Sequence, residues 1–219
     1  MVPGPWKELG TGVLTSDTVF EMEDLPESLL VVGLGAIGLE LAQAFSRVGV
    51  NVTGFDALHT IGGITDPEVA RSAVKIIGGE FPIHLGAKVN LESLPGGKIK
   101  ASWSGNTATA EKVLVAVGRK PNIDDLGLEN LGVELDENGL PGFNQHTLQV
   151  GSLPVFLPGD VNRRAPILHE AADDGHIAGY NAMLKPTANI ASAEGPHRYR
   201  FLTSEHSLCR QQVRRPGNG

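Results

Sequence analysis

The chain is poor in cysteine: Cys209 is the only one among 219 residues. A single cysteine forms no internal disulfide, so a disulfide-stapled secreted scaffold is excluded, and so is an internal redox dithiol. Aromatics are scarce, at 5%. No apolar run approaches the ~20 residues that span a bilayer, and the opening MVPGPWKELG is not a signal peptide. A soluble protein of the reducing cytoplasm, without a membrane partner, is the expectation. Basic residues are outnumbered, 18 Lys and Arg against 25 Asp and Glu, for a net charge of −7. Bulk charge therefore gives no reason to hold nucleic acid. Cations gather only at the end, where Arg198, Arg200, Arg210, Arg214 and Arg215 accompany one acid, Glu205. That stretch has no apolar period and reads as a solvated tail rather than as an RNA- or membrane-binding arm. Neither a Walker A sequence nor G-x-S-x-G occurs in the chain, so the two commonest motif routes to phosphoryl transfer and serine hydrolysis are missing.

Glycine, in contrast, is abundant, with 28 residues against about 7% in an average protein. Tight turns and close backbone approaches to a ligand are expected. Residues 1–26 carry many breakers and read as a lead-in or linker. Ser28–Val32 is a short apolar run that predicts a buried parallel strand. From Ala36 the period changes, and Ile37, Leu41, Ala44, Phe45 and Val48 fall on one helical face that Gly49 ends. Residues 51–55 predict a second strand, which completes a βαβ unit. Asp66 and Pro67 predict the N-cap and first residue of a second helix, with Ala70, Ala73, Val74 and Ile77 as its apolar stripe. The stretches 82–86, 88–94, 98–104 and 108–118 read as strands of an antiparallel meander with turns at residues 95–97 and 104–106. Residues 119–152 read as loops, 154–157 as another strand, and 169–184 as a helix with Ala172, Ile177, Ala178 and Met183 among its apolar positions.

Gly33-Leu34-Gly35-Ala36-Ile37-Gly38 is G-x-G-x-x-G, set between a predicted strand and a predicted helix, with Asp56 ending the next strand. That context is the fingerprint of dinucleotide binding. Gly33 suits a tight turn, Gly35 lets the backbone approach a pyrophosphate, and Gly38 lets the helix pack against the sheet. The helix start offers unpaired N–H groups and about half a positive charge to the phosphates. Asp56 would accept hydrogen bonds from the adenosine ribose. Glu40 is either a carboxylate favoured by the helix N-terminus or a group facing the ligand; spacing alone leaves both open. His169-Glu170-Ala171-Ala172-Asp173 approaches the zinc pattern H-E-x-x-H but ends in Asp, and too few ligands converge to predict a metal site.

With these residues in view, 31–56, 113–139, 153–161 and 168–182 occur in the order found in flavin-dependent pyridine nucleotide–disulfide oxidoreductases. The chain resembles that family over about residues 12–184, with the bacterial dihydrolipoyl dehydrogenases as the branch it looks most like. The resemblance implies an α/β fold: a Rossmann-type NAD(P)-binding domain with an antiparallel β-meander at 27–118, an incomplete returning segment of an FAD-binding domain at 119–186, and a non-matching tail at 187–219. It implies NAD as cofactor, with Gly33, Gly35, Ala36, Ile37, Gly38, Glu40, Asp56 and Gly118 along it, and FAD in the complete protein. Gly159, Asp160, Leu168, His169 and Ala171 would then lie beside the flavin, with Asp160 on its ribityl chain. Glu40 would reach the nicotinamide end.

Three family features have no match here: the flavin domain's own glycine motif, its Cys-x4-Cys, and the dimerisation domain with a His–Glu relay. The expectation is therefore a chain cut at both ends, with a change of reading frame near Arg198 and no catalytic residue of its own. The parent activity would oxidise the dihydrolipoyl group of a lipoyl-bearing protein, passing electrons through FAD to NAD in a homodimer. A soluble transhydrogenase, a mercuric reductase-like or glutathione reductase-like enzyme, and a free-standing non-catalytic NAD-binding module are the alternatives.

Overall fold

Ser28–Val32 forms the central strand, β2, and is apolar at every position after Ser28 because both faces of its sheet are covered. Leu29 and Val31 point into one core with Leu34, Phe45, Val52, Ile61 and Phe81, whereas Leu30 and Val32 point into another with Phe55, Ile99, Val113 and Val115. A parallel strand covered on both sides reads as one continuous apolar run rather than as an alternation. The computed structural model describes residues 2–183. It divides into two units, one running to Lys120 and the other beginning at Pro121.

In the first unit, β2 feeds α1 (Ala36–Arg47), then β3 (Asn51–Phe55), α2 (Pro67–Ile77) and β4 (Ile83–His84). Gly49, at φ 95°, ends α1 with its amide on the Ser46 carbonyl. Asp66 caps α2 as expected: its carboxylate accepts from the backbone N–H groups of Glu68 and Val69 at 2.8 and 3.0 Å. A cap of this kind contributes about 1 kcal/mol. The α2 stripe Ala73, Val74 and Ile77 lies against the first core, but no residue of α2 is fully buried. Glu80, just beyond, binds α1 through both oxygens to Arg47 (2.8 and 2.9 Å) and through one to Gln43.

The meander consists of β5 (Asn90–Ser93), β6 (Ile99–Trp103) and β7 (Asn106–Ala110), paired antiparallel in that order. Its turns use Gly96 and Gly97, both at positive φ, and Ser104 with Gly105. Residues 108–118 are not one strand. The ladder of β7 ends at Ala110, and after Glu111 the chain becomes β8 (Lys112–Val115), which belongs to the parallel sheet. The Glu111 amide bonds to the Ser28 hydroxyl and its carboxylate accepts from the Glu27 amide, which pins this change of sheet beside the start of β2.

Residues 1–26 are more than a linker. Val13–Leu14 forms β1 and pairs parallel with β8, so the five-stranded sheet has the order β1-β8-β2-β3-β4. Leu14 and Val19 are buried in the first core, and Trp6 and Leu9 pack on the second. Two residues of strand next to many breakers carry too little local pattern to be recognised; partners a hundred positions away make the strand.

The second unit has 3-10 turns at Leu128–Leu131 and Gly159–Asn162 and one long helix, α3 (Leu168–Met183). Ile123, Leu128, Leu140, Val150 and Leu157 form its core. The expected strand at 154–157 is reduced to a single bridge, Phe156 to Gln149, flanked by two backbone bonds linking 148–150 with 155–157. The helix is where the period placed it, but its inward face differs. Met183 is 85% exposed and Ala172 is exposed, while Asp174, Ala178 and Asn181 are buried. Hydrogen bonds to the turns beneath it, not apolar burial alone, select that face. Leu184, Cys209 and the 187–219 tail lie outside the described residues. Among the described residues, no helix is long and apolar enough to cross a membrane.

Candidate functional site

The sheet order places a crevice where the strand order reverses. From β2 the chain moves to β3 on one side, and β8 returns on the other. Ligands of open α/β sheets bind at the carboxyl ends of strands at such a point. The loop 33–38 is there. Gly33 has φ 94°, and a Cβ on it would come within 2.5 Å of the Ala116 carbonyl oxygen just past β8. A Cβ on Gly38 would overlap the Gly33 carbonyl oxygen. These two glycines are required by packing of the loop on itself and on its neighbour.

Gly35 is different. A Cβ there would meet nothing within 4 Å, and Gly35 and Ala36 are exposed. Gly35 is the N-cap of α1, and no side chain caps it. The first amides of α1 therefore face open space over a residue without a side chain. That is a cradle for an anion: unpaired donors, the positive end of the helix dipole, and room for backbone contact.

Asp56 closes this loop from the β3 side. Its Oδ2 accepts from the Leu34 amide at 2.7 Å and its Oδ1 from the Leu58 amide at 2.8 Å. A carboxylate has about four acceptor positions, so each oxygen keeps room for a ligand hydroxyl. Asp56 thus ties the glycine loop to the end of β3 as well as presenting acceptors there, a double duty that spacing alone does not reveal.

Ile37 and Gly118 line a hollow of about 400 Å³ together with Thr15, Ser16, Asp17, Arg119 and Lys120. Sequence reasoning misses the last five. Thr15, Ser16 and Asp17 reach the hollow because β1 pairs with β8. Arg119 and Lys120 do carry a local signal, as two adjacent cations following a strand end. Glu40 is exposed on the second turn of α1 and is not among the residues lining this hollow.

The remaining candidates belong to the second unit. Gly159 (φ 75°) sits against Ala171, where a Cβ would stand 3.2 Å from the alanine methyl. Its amide donates to buried Asp174 at 3.1 Å, and the Asn162 side-chain amide donates to the same carboxylate at 2.7 Å. This network fixes the turn that carries Asp160. Leu168 is 86% exposed and His169 is exposed at the N-terminus of α3. Among the described residues, no three His, Cys, Asp or Glu side chains converge as metal ligands would.

Residues 1–175 match the family described as pyridine nucleotide-disulphide oxidoreductase. The chain is 35% identical over 195 residues to the dihydrolipoyl dehydrogenase of Bacillus subtilis, covering 83% of this chain and 40% of that protein. It is 34% identical over 175 residues to the mitochondrial dihydrolipoyl dehydrogenase of Mus musculus, covering 75% and 34%. The chain thus spans well under half the length of these relatives. Among solved structures, the HOCl-induced flavoprotein disulfide reductase RclA of Escherichia coli superposes with a TM-score of 0.72 at 23% identity, over 83% of this chain and 41% of that one. A water-forming NADH oxidase of Lactobacillus brevis, bound to NADH, superposes at 0.68 and 20% identity, over 82% and 43%. At these identities the structures show a shared fold.

Proposed function

The chain belongs to the pyridine nucleotide-disulphide oxidoreductase family, and from that premise we propose that its first unit is the NAD(H)-binding segment of a dihydrolipoyl dehydrogenase-like enzyme. One observation carries the reading: the uncapped start of α1 opens over Gly35 at the sheet's reversal point, with Asp56 tied to the loop beside it. The pyrophosphate of the nucleotide would rest on the amides that follow Gly35. The adenosine ribose would hydrogen-bond to Asp56. Ile37, Gly118 and the hollow beside them would take the other half of the nucleotide, with Glu40 on the nearby helix turn.

In the second unit, Gly159, Asp160, Leu168, His169 and Ala171 would line FAD in the complete protein, Asp160 binding its ribityl hydroxyls. Bound together, the two cofactors supply hydride and electron transfer between a nicotinamide and a disulfide; the protein positions them and tunes their surroundings. The dithiol would be a dihydrolipoyl group on a partner protein, and the complete enzyme a homodimer. Identity above 30% to dihydrolipoyl dehydrogenases supports this choice within the family.

Asp56 also argues for NAD over NADP. Like charges about 4 Å apart at an effective dielectric near 20 repel by about 4 kcal/mol, an upper figure that salt reduces. About 1.4 kcal/mol is tenfold in affinity. Titrating the chain with NADH and NADPH by nucleotide fluorescence should show tighter NADH binding, and Asp56→Ala should weaken NADH. Equal affinity of the wild type for both nucleotides would refute the role of Asp56. Lipoamide reduction with added FAD should stay at the free-flavin background, because the sole cysteine forms no internal dithiol. Purification of the chain with bound flavin would favour an enzyme segment over a free-standing NAD-binding module.

A further inference from the structure

Asn138 and Gly139 sit at the tip of a tight hairpin in the second unit. Leu135 bridges Pro141 across it. The Asp136 amide donates to the Leu140 carbonyl at 2.8 Å, and the Gly139 amide donates to the Asp136 carbonyl at 2.9 Å. Gly139 has φ 80°, a left-handed conformation that glycine adopts without strain. The Asp136 carboxylate fastens the turn from inside. Its Oδ1 accepts from the amides of Asn138 and Leu140 at 2.8 and 2.9 Å, and the Asn138 side-chain amide is a further donor to it. Leu140 is buried, and a Cβ on Gly139 would stand 3.5 Å from the Ile123 side chain. The turn is therefore seated on the core of its unit.

Asparagine is a thermolabile residue, and a following glycine leaves the next backbone nitrogen unshielded by any side chain. The Gly139 nitrogen can then attack Cγ of Asn138. Hydroxide takes the amide proton, the Cγ–Nδ2 bond breaks, and the nitrogen leaves as ammonia with a proton from water. Water opens the five-membered imide that remains, at either carbonyl, to give aspartate or isoaspartate. One water enters and one ammonia departs; nothing is oxidised or reduced. The closed turn blocks this attack twice. The Gly139 N–H is committed to the Asp136 carbonyl, and the Asn138 carboxamide is held at the Asp136 carboxylate instead of turning back on the chain. Asn218-Gly219 is the other such pair in the sequence and lies outside the described residues.

We propose that Asn138 is a site of spontaneous deamidation and that Asp136 is its latch: conversion to aspartate or isoaspartate proceeds only while the hairpin is open. Local openings of this kind are part of native-state behaviour. When they are fast relative to the chemistry, the rate follows the fraction of time spent open. The step is one-way. Either product replaces a donor to Asp136 by a second carboxylate beside it. Isoaspartate also adds a methylene to the main chain, so the amides of residues 138 and 140 no longer reach one oxygen together. The turn then does not close as before, and Leu140 loses its tether to Asp136.

The test incubates the full chain at mildly alkaline pH and follows the peptide that holds residue 138 by mass spectrometry, with isoaspartate labelled by a protein isoaspartate methyltransferase. Wild type, Asp136→Ala and Asp174→Ala are compared with wild type unfolded in urea. Native wild type should convert far more slowly than the unfolded chain, a comparison that needs no variant. Asp136→Ala should convert about five- to tenfold faster than native wild type, the scale of a hydrogen bond or two lost from the turn. Asp174→Ala loosens the same unit at Gly159 but leaves the hairpin bonds in place, and should stay near wild type. Equal rates for native and unfolded wild type would mean that the turn protects nothing. Equal rates for wild type and Asp136→Ala would remove Asp136 as the latch. Acceleration by Asp174→Ala as large as that by Asp136→Ala would place the control in general unfolding. No conversion at residue 138 even in urea would remove the site; each of these results overturns the proposal.

Discussion

The two units hold their backbones by different means. In the first, two sheets satisfy most polar groups through ladders: five parallel strands and three antiparallel ones, with cores on both faces of the parallel sheet. In the second, short polar side chains do much of that work. Asp136 accepts from the amides of Asn138 and Leu140, Asn144 from those of His146 and Thr147, and Asn162 from that of Arg164. Asp174 and Asn181 tie α3 to the turns beneath it. A ladder repeats, so its stability is shared among many equivalent bonds. A set of side-chain-made turns has no repeat, and each one depends on a particular residue.

The sharpest way to break this contrast is a glycine of the ladder-built unit. Gly38→Ala would drive a methyl into the Gly33 carbonyl oxygen, and a displacement of that size in a packed loop should cost about 3 kcal/mol or more. Thermal denaturation should show a large fall in Tm. A Tm indistinguishable from wild type would mean that the glycine loop does not hold the close packing described.

Next in size is the difference in local stability. Amide hydrogen exchange should show lower protection across 121–183 than in β2, β3 and β8, since exchange follows the depth of burial and the cooperativity of the bonds. Asp174→Ala should then speed exchange further at Gly159, because its buried acceptor is lost and an unmade buried bond costs about 1–3 kcal/mol. Equal protection in the two units would dissolve the comparison.

A smaller effect, of opposite sign, is expected within α3. Gly179 lies in the helix, exposed, with nothing within 4 Å of the point where an alanine methyl would stand. Gly179→Ala should stabilise the second unit by about 0.5–1 kcal/mol through helix propensity, seen as slower exchange in α3. Loss of stability there would reveal a packing demand on that face.

The smallest effect separates the units by salt and acid. The Arg47 guanidinium is the main cause that holds the Glu80 carboxyl below its ordinary value of 4.5, with Gln43 assisting. Backbone amides, that of Leu140 first, hold the Asp136 carboxyl below 3.8, with Arg163 a minor contributor. Both folded values are depressed, so both groups stabilise fully above those ordinary values and lose that stabilisation as pH falls through the lower, folded ones. Salt should weaken the Glu80 contribution, which is an exposed ion pair, and spare the Asp136 turn, which rests on backbone donors. NMR titration of both carboxyls at low and high salt checks this; equal salt sensitivity would refute the assignment of causes.

Features that rest on neighbours a few positions away are legible before any tertiary contact is known. The apolar run of β2, the Asp66–Pro67 helix start, the paired-glycine turn and the G-x-G-x-x-G loop all follow from local sterics and periodicity, and the structure places each where the spacing put it, whereas α1 turns a different face inward from the expected one: Ala44 and Val48 are exposed and Ala42 is buried. Tertiary structure decided the rest, for one physical reason: the deciding bonds join residues far apart in the chain. Val13–Leu14 becomes a strand only because Val113 and Leu114 are there to pair with it. Residues 106–115 split at Glu111 because one half finds β6 and the other β2. The buried face of α3 is polar because Gly159, Asn162 and Thr147 offer it partners. The Leu34 amide that binds Asp56 comes from a separate loop, 22 residues away, that the sheet brings to it.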